Sequence, residues 1–101
     1  MGYPLHPVFL DQVKKFIDDL SENDQSKIIG SAQAVARGQF KAVYIKHIRG
    51  EIREIRVKRY RLLYFTYNDV IYFPSIFLKK TGKTPKKEIE FAEKFYKKIT
   101  N

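Results

Sequence analysis

Apolar and polar positions along this chain follow two periods in succession. From Pro7 to Leu20 the apolar residues Phe9, Val13, Phe16, Ile17 and Leu20 recur at helical spacing, with Asp11, Lys14, Lys15, Asp18 and Asp19 elsewhere. Pro7 suits a first helical position. The spacing predicts a helix over 7–20. Ser21 with Asp24 three residues on forms a variant capping box. It opens a second predicted helix, Glu22 to Arg37, whose stripe is Ile28, Ile29, Ala32, Val35 and Ala36. Gly38 is its expected stop. A turn this short between two amphipathic helices predicts an antiparallel hairpin.

After that the period becomes two. Val43 to Ile48 reads as extended or irregular, and Arg49-Gly50 as a turn. Ile52 to Lys58 alternates, with Ile55 and Val57 on one face and Glu54, Arg56 and Lys58 on the other. Tyr60 to Tyr67 is aromatic and β-favouring. Asn68-Asp69 is a two-residue hairpin turn. Val70 to Leu78 is an apolar run expected to be a well-covered strand. Pro74 within it cannot donate to a ladder, so a bulge or a break is expected there. Thr84-Pro85 reads as N-cap and first position of a last helix, with Ile89, Ala92, Phe95, Tyr96 and Ile99 on its core face. The predicted class is α+β: a small antiparallel sheet packed against helices, in the order ααβββα.

The length of 101 residues fits a single domain spanning 1–101. The apolar fraction of 44%, with eight Phe and seven Tyr, supplies a small core. With no cysteine there are no disulfides or thiolate metal sites. No apolar run reaches the roughly 20 residues a bilayer span requires. The N-terminus has neither the basic start nor the apolar core of a signal peptide. The expected location is cytoplasmic.

Charge changes this picture. The formal net charge is +9. Residues 1–36 hold three Lys/Arg against five Asp/Glu, whereas residues 37–83 hold twelve against three. A surplus concentrated in the strand region is the footprint of a polyanion-binding face rather than of a merely solubilising surface. Hairpin pairing brings Arg56 beside Arg61, and places the end of the next strand, Lys79 and Lys80, near them. Almost no carboxylate appears in sequence to neutralise this cluster. Arginine forks suit phosphate, and crowded cations can stabilise a developing dianion and protonate a leaving oxygen. From spacing alone the same residues read first as a phosphate-binding patch without chemistry, with catalysis and solvated strand-end charges as the other readings. Lys46, His47, Arg49, Arg53, Lys58, Arg59 and Lys83 are candidate RNA contacts around the cluster.

Of the aromatics Tyr60, Tyr64, Phe65, Tyr67, Tyr72, Phe73 and Phe77, most are expected in the core, with one or two on the open face to stack on bases. Tyr96 is expected to pack. His6 reads as a surface or capping residue, and His47 as a contact rather than a general base. There is no metal-ligand spacing and no paired-carboxylate site in the basic segment, and Thr81-Gly82-Lys83-Thr84 lacks the earlier glycine of a phosphate loop. No cofactor is expected.

Three short motifs occur in order: Glu54-Ile55-Arg56, Tyr60-Arg61-Leu62-Leu63-Tyr64, and Phe77-Leu78-Lys79-Lys80-Thr81 continuing through Thr84-Pro85 to Glu88-Ile89 and Ala92. With them the chain, over about residues 9–99, resembles the RelE/HigB toxins of bacterial type II toxin–antitoxin systems, in the phage-derived branch close to HigB. The resemblance implies a RelE-like microbial-ribonuclease architecture and a ribosome-dependent mRNA endoribonuclease. In it the 2′-hydroxyl attacks the adjacent phosphate without a metal. It further implies that Arg56 and Arg61 hold the scissile phosphate, that Lys79 or Lys80 neutralises charge or donates a proton, and that a cognate antitoxin, often a helix-turn-helix protein, binds the chain. The opening strand of that family has only Met1 to Tyr3 before Pro4, and is expected to be short or absent. Pro74-Ser75-Ile76 stands where the family carries a histidine or glycine. Two other readings remain: a non-catalytic RNA- or ribosome-binding module, and an interaction domain for an acidic partner.

Overall fold

The computed structural model describes residues 2–80 and 82–101; Met1 and Thr81, which belong to the opening segment and the third motif, lie outside the described residues. The element order is β1 (His6–Phe9), α1 (Asp11–Asp18), α2 (Glu22–Ala36), a short 3-10 turn (Phe40–Ala42), β2 (Tyr44–Arg49), β3 (Ile52–Val57), β4 (Tyr60–Tyr67), β5 (Val70–Leu78) and α3 (Lys86–Thr100). The five strands form one sheet in the order β1-β5-β4-β3-β2. β1 runs parallel to β5, and the other neighbours are antiparallel.

The α+β architecture predicted from the periodicity is present, and two strands extend it. The first is the opening strand, which falls at His6–Phe9 inside the segment whose spacing suggested a helix. Pro7 fits there because β1 is an edge strand, where a missing N–H costs no ladder bond. Phe9 packs from β1, stacked on Phe73 at 4.6 Å. The helix therefore starts only at Asp11. The second is β2, which covers most of 43–48.

α2 begins where the capping box placed it: the Asp24 amide donates to Ser21 Oγ at 3.2 Å. It ends at Ala36, with Arg37 as its C-cap and Gly38 following at φ +79°. A Cβ on Gly38 would also meet the Tyr3 ring at 2.9 Å, so glycine is required there twice over.

Pro74 produces the expected bulge without breaking β5. Leu63 pairs with Ser75 while Phe65 pairs with Tyr72, so β5 carries one residue more than β4 across that step. The extra residue reverses the alternation. Ile71, Phe73 and Ile76 all join the core beneath α1 and α2, while Tyr72 and Phe77 join the core beneath α3. Ser75 consequently meets Glu88 in the first turn of α3, its hydroxyl donating to Glu88 Oε1.

The sheet thus has two apolar faces. One is closed by Val13, Ile17, Ile28, Ala32 and Val35 of α1 and α2. The other is closed by Ala92, Phe95, Tyr96 and Ile99 of α3 over Ile52, Leu63, Phe65 and Phe77. Among the described residues, no helix is long and apolar enough to cross a membrane.

Candidate functional site

At the end of the sheet near the β3–β4 turn, the α3 face changes character from apolar to charged. Arg56 and Arg61 are direct cross-strand partners there, as hairpin pairing required. Their side chains are mostly covered, at 23% and 13% exposure. Arginines in that position need a counter-ion, and Glu54 supplies it. Glu54 lies two residues before Arg56 on the same face of β3 and is fully buried. Its Oε1 accepts from Arg56 Nε at 3.2 Å and lies 3.9 Å from Arg61 Nε. Its Oε2 accepts from Thr84 Oγ1 at 2.7 Å.

This corrects two sequence expectations. The cluster does have a neutralising carboxylate, placed at its centre. Thr84 is not the cap of the last helix: Pro85 occupies that position with no side-chain bond, and the Thr84 hydroxyl is committed to Glu54. Alternation showed Glu54 on the polar face of β3. It could not show that the segment entering α3 folds over it.

The two arginines are held differently. Arg61 Nη1 donates to the carbonyls of Lys58 at 3.0 Å and Tyr60 at 2.9 Å, while its buried Nε has no hydrogen-bond partner among the described residues. Arg56 lies against the ring of Tyr44, its Cζ 4.7 Å from the ring centre. Tyr44 is its register partner on β2. Lys46, the next residue on that face of β2, pairs with Glu54 in register and is exposed. At the other border, the Lys79 amide donates to the Arg59 carbonyl at 2.8 Å and carries the β5 ladder past the turn, with exposed Lys80 following. Lys83 immediately precedes Thr84. Arg56, Arg61, Lys46, Lys79, Lys80 and Lys83 therefore surround one end of the sheet.

The remaining candidate contacts lie apart. Lys58 Nζ binds Asp24 Oδ1 of α2 at 2.5 Å, and Tyr60 OH donates to Asp24 Oδ2 at 2.7 Å. Those two donors hold the Asp24 carboxyl below its usual range, and Asp24 in turn pushes the Tyr60 phenol up. Lys58 makes this bond from a left-handed backbone, at φ 54°. Arg59 is exposed beside it on the turn. Arg49 grips Glu93 of α3 with two bonds, at 2.6 and 3.0 Å, which raises the arginine and lowers the carboxyl. His47 hydrogen-bonds the Gly50 carbonyl through Nε2 at 2.8 Å. Its register partner Arg53 lines a cleft of about 390 Å³ on the α2 side of the sheet, with Tyr3, Phe40 and Tyr64. Burial pushes the Tyr64 phenol up.

Among the aromatics singled out in sequence, Tyr64, Phe65, Phe73 and Phe77 are buried, while Tyr60 and Tyr72 are half-buried. Tyr67 is exposed at the far hairpin turn. The ring beside the arginines is instead Tyr44, 61% exposed, in a segment whose sequence reads as extended or irregular. The alternation of Tyr44 with Lys46 was its only local signal. The bulge between His47 and Arg49 interrupts that alternation after a single repeat.

A comparison with curated proteins finds no match. The model of a family described as phage-derived, Gp49-like proteins matches residues 15–97, from within α1 to near the end of α3. That stretch holds Tyr44, Glu54, Arg56, Arg61 and Thr84, the whole of the braced arginine pair. With most of its length matched, the chain belongs to the phage-derived Gp49-like family, a toxin-like family of toxin–antitoxin systems.

Proposed function

We propose that this chain is the toxin of a type II toxin–antitoxin pair, of RelE/HigB type, and that it cleaves mRNA on the ribosome without a metal. The observation that carries this reading is the Arg56–Arg61 pair, side by side on neighbouring strands and facing one buried carboxylate at the end of the sheet near the β3–β4 turn. The 2′-oxygen of a nucleotide attacks its own 3′-phosphorus, and the bond to the 5′-oxygen of the next nucleotide breaks. A cyclic phosphate and a free 5′-hydroxyl result, and the proton lost by the 2′-hydroxyl is matched by one gained at the leaving oxygen. Two guanidinium forks stabilise the charge that gathers on the phosphoryl oxygens between those events. Lys79 or Lys80 protonates the leaving oxygen or adds charge. Lys46 and Lys83 border the path of the strand. Glu54 and Thr84 position the arginines and are not assigned to proton transfer, because both carboxylate oxygens are engaged. The chain acts in the cytoplasm, as a single domain, and a cognate antitoxin, a helix-turn-helix protein, suppresses it.

One observation favours a second reading, a non-catalytic RNA- or ribosome-binding module. Arg61 spends donors on the Lys58 and Tyr60 carbonyls, which leaves it fewer for a phosphate. Mapping RNA ends in a purified translation reaction, with and without ribosomes, separates the two. The toxin reading expects cuts within codons only when ribosomes are present. Removing one charge-stabilising donor should slow cleavage by roughly 10²–10³-fold, so Arg56→Ala and Arg61→Ala should both do so while keeping the wild-type circular dichroism spectrum. Intact mRNA with the protein bound to ribosomes would establish the binding module.

A further inference from the structure

The exposed ring of Tyr44 has no packing role that accounts for it. Among the described residues it is the most exposed of the large apolar side chains, at 61%, and it stands on a sheet face rather than in a loop. Arg56 lies over it at 4.7 Å from the ring centre. The contact places the ring beside the cations, while most of its surface stays open to solvent. Lys46 follows on the same face of β2, and Arg61 lies across β3 as the partner of Arg56. A flat aromatic surface beside a cationic pair is the arrangement that single-stranded nucleic acid uses, with the base on the ring and the backbone on the cations.

We propose that Tyr44 is a nucleobase-stacking platform, and that one base of a single-stranded RNA lies on its ring while the neighbouring phosphate sits on Arg56 and Arg61. This inference rests on the reading of the arginine pair as an RNA site and adds the group that orders the strand across it. Arg56 serves both parts, since its guanidinium braces the ring and faces the phosphate. Because every base has a π-face, the platform selects single-stranded RNA without selecting sequence. A stem, whose bases are stacked on one another, does not fit it.

The test is a low-salt titration with a short oligonucleotide fully 2′-O-methylated, so that no 2′-hydroxyl is available for cleavage. It is compared with the same strand carrying one abasic position at each site in turn. Stacking of one base changes affinity by roughly 5- to 100-fold, so the wild-type protein should discriminate against one abasic position by that factor. Tyr44→Leu should bind the abasic strand as the wild type does and lose the discrimination. Tyr44→Phe should keep it. If Tyr44 only braces Arg56, Tyr44→Leu will weaken intact and abasic strands equally, and the proposal falls. Loss of discrimination in Tyr44→Phe would trace the effect to the hydroxyl and overturn stacking. Equal wild-type binding of intact and abasic strands overturns the platform but leaves the RNA site standing. Failure of the wild type to bind either strand overturns the platform and a free-RNA site at the arginine pair, whereas the ribosome-dependent reading stands or falls on the mapping of RNA ends.

Discussion

The two faces of this sheet meet their helices in different ways. Beneath α1 and α2 the contact is apolar, with Leu62, Tyr64, Ile71 and Phe73 against Val13, Ile17, Ile28 and Ala32. Its polar contact at the β3–β4 turn, Asp24 with Lys58 and Tyr60, lies at the rim. Beneath α3 the apolar contact around Phe65 gives way to a buried carboxylate that ties Arg56 to the segment entering the helix and faces Arg61 at 3.9 Å. The first arrangement serves stability, since hydrophobic contact needs no exact partner. The second costs desolvation that its own attraction offsets only in part. It yields something the first cannot: two cations held in fixed positions at the edge of solvent.

The largest expected effect tests whether both faces share an equivalent apolar floor. Phe65 is fully buried, with Tyr72, Tyr96 and Phe95 at 5.2, 5.0 and 6.0 Å between ring centres. Phe73 is its fully buried counterpart under α1 and α2. Phe65→Ala and Phe73→Ala should each lower stability by about 3–5 kcal/mol in urea denaturation. A loss near 1 kcal/mol for Phe65→Ala alone would show that α3 is held mainly by its polar bonds.

Glu54→Gln comes next. It keeps the shape and an acceptor for Thr84 but removes the charge between two arginines. Breaking a buried pair costs about 3–5 kcal/mol, and the partial exposure of both arginines reduces this to about 2 kcal/mol. Glu54→Met, of similar size and apolar, should recover part of that stability, yet cleavage should stay as low as in Glu54→Gln because Arg56 loses its hydrogen-bonded anchor and Arg61 its counter-ion. If Glu54→Gln unfolds at the wild-type urea concentration, the carboxylate does not brace the pair. Thr84→Val removes one hydroxyl donor and should cost about 1 kcal/mol, with a matching loss of activity. A stability loss without an activity loss would detach the α3 segment from the site.

The parts of the fold that were readable in sequence are those decided locally. α2 declared itself by its cap, its stripe and Gly38, and the β3–β5 meander by alternation and by the Asn68 turn, where asparagine tolerates φ 55°. Pro74 announced a disturbance of the ladder, a bulge or a break, because it lacks a donor in mid-strand, and the pairing with β4 decides for the bulge. β1 did not declare itself, since Pro7 and Phe9 suit a helix start and an edge strand equally. The choice rests on pairing with Val70–Phe73, far along the chain. The site divides in the same way. Arg56 beside Arg61 follows from a two-residue turn. The burial of Glu54 depends on Thr84 arriving from beyond β5, and the place of Tyr44 depends on the register of a strand with one clean alternation.

The smallest expected effect lies at the polar rim of the α2 face. Asp24 fixes Lys58, and the Lys58 carbonyl holds Arg61, so this rim reaches the site from the opposite side of the sheet. Hydrogen bonds from Lys58 and then Tyr60 depress the Asp24 carboxyl in the folded state. A depressed folded value means that the fold favours the charged form. Its contribution is complete above the unfolded value of about 3.9 and is lost as pH falls through the lower folded value. Asp24→Asn should therefore melt below the wild type at neutral pH, and the two should converge as the solution is acidified below about pH 4. Glu93, depressed by Arg49, carries the same sign on the α3 face, so Glu93→Gln should converge with the wild type over the same range. Melting temperatures of the three proteins between neutral and acid pH decide this. A gap between Asp24→Asn and the wild type that does not narrow with acidification would mean that shape rather than charge joins α2 to the turn, and that Arg61 owes nothing to the ionisation of Asp24.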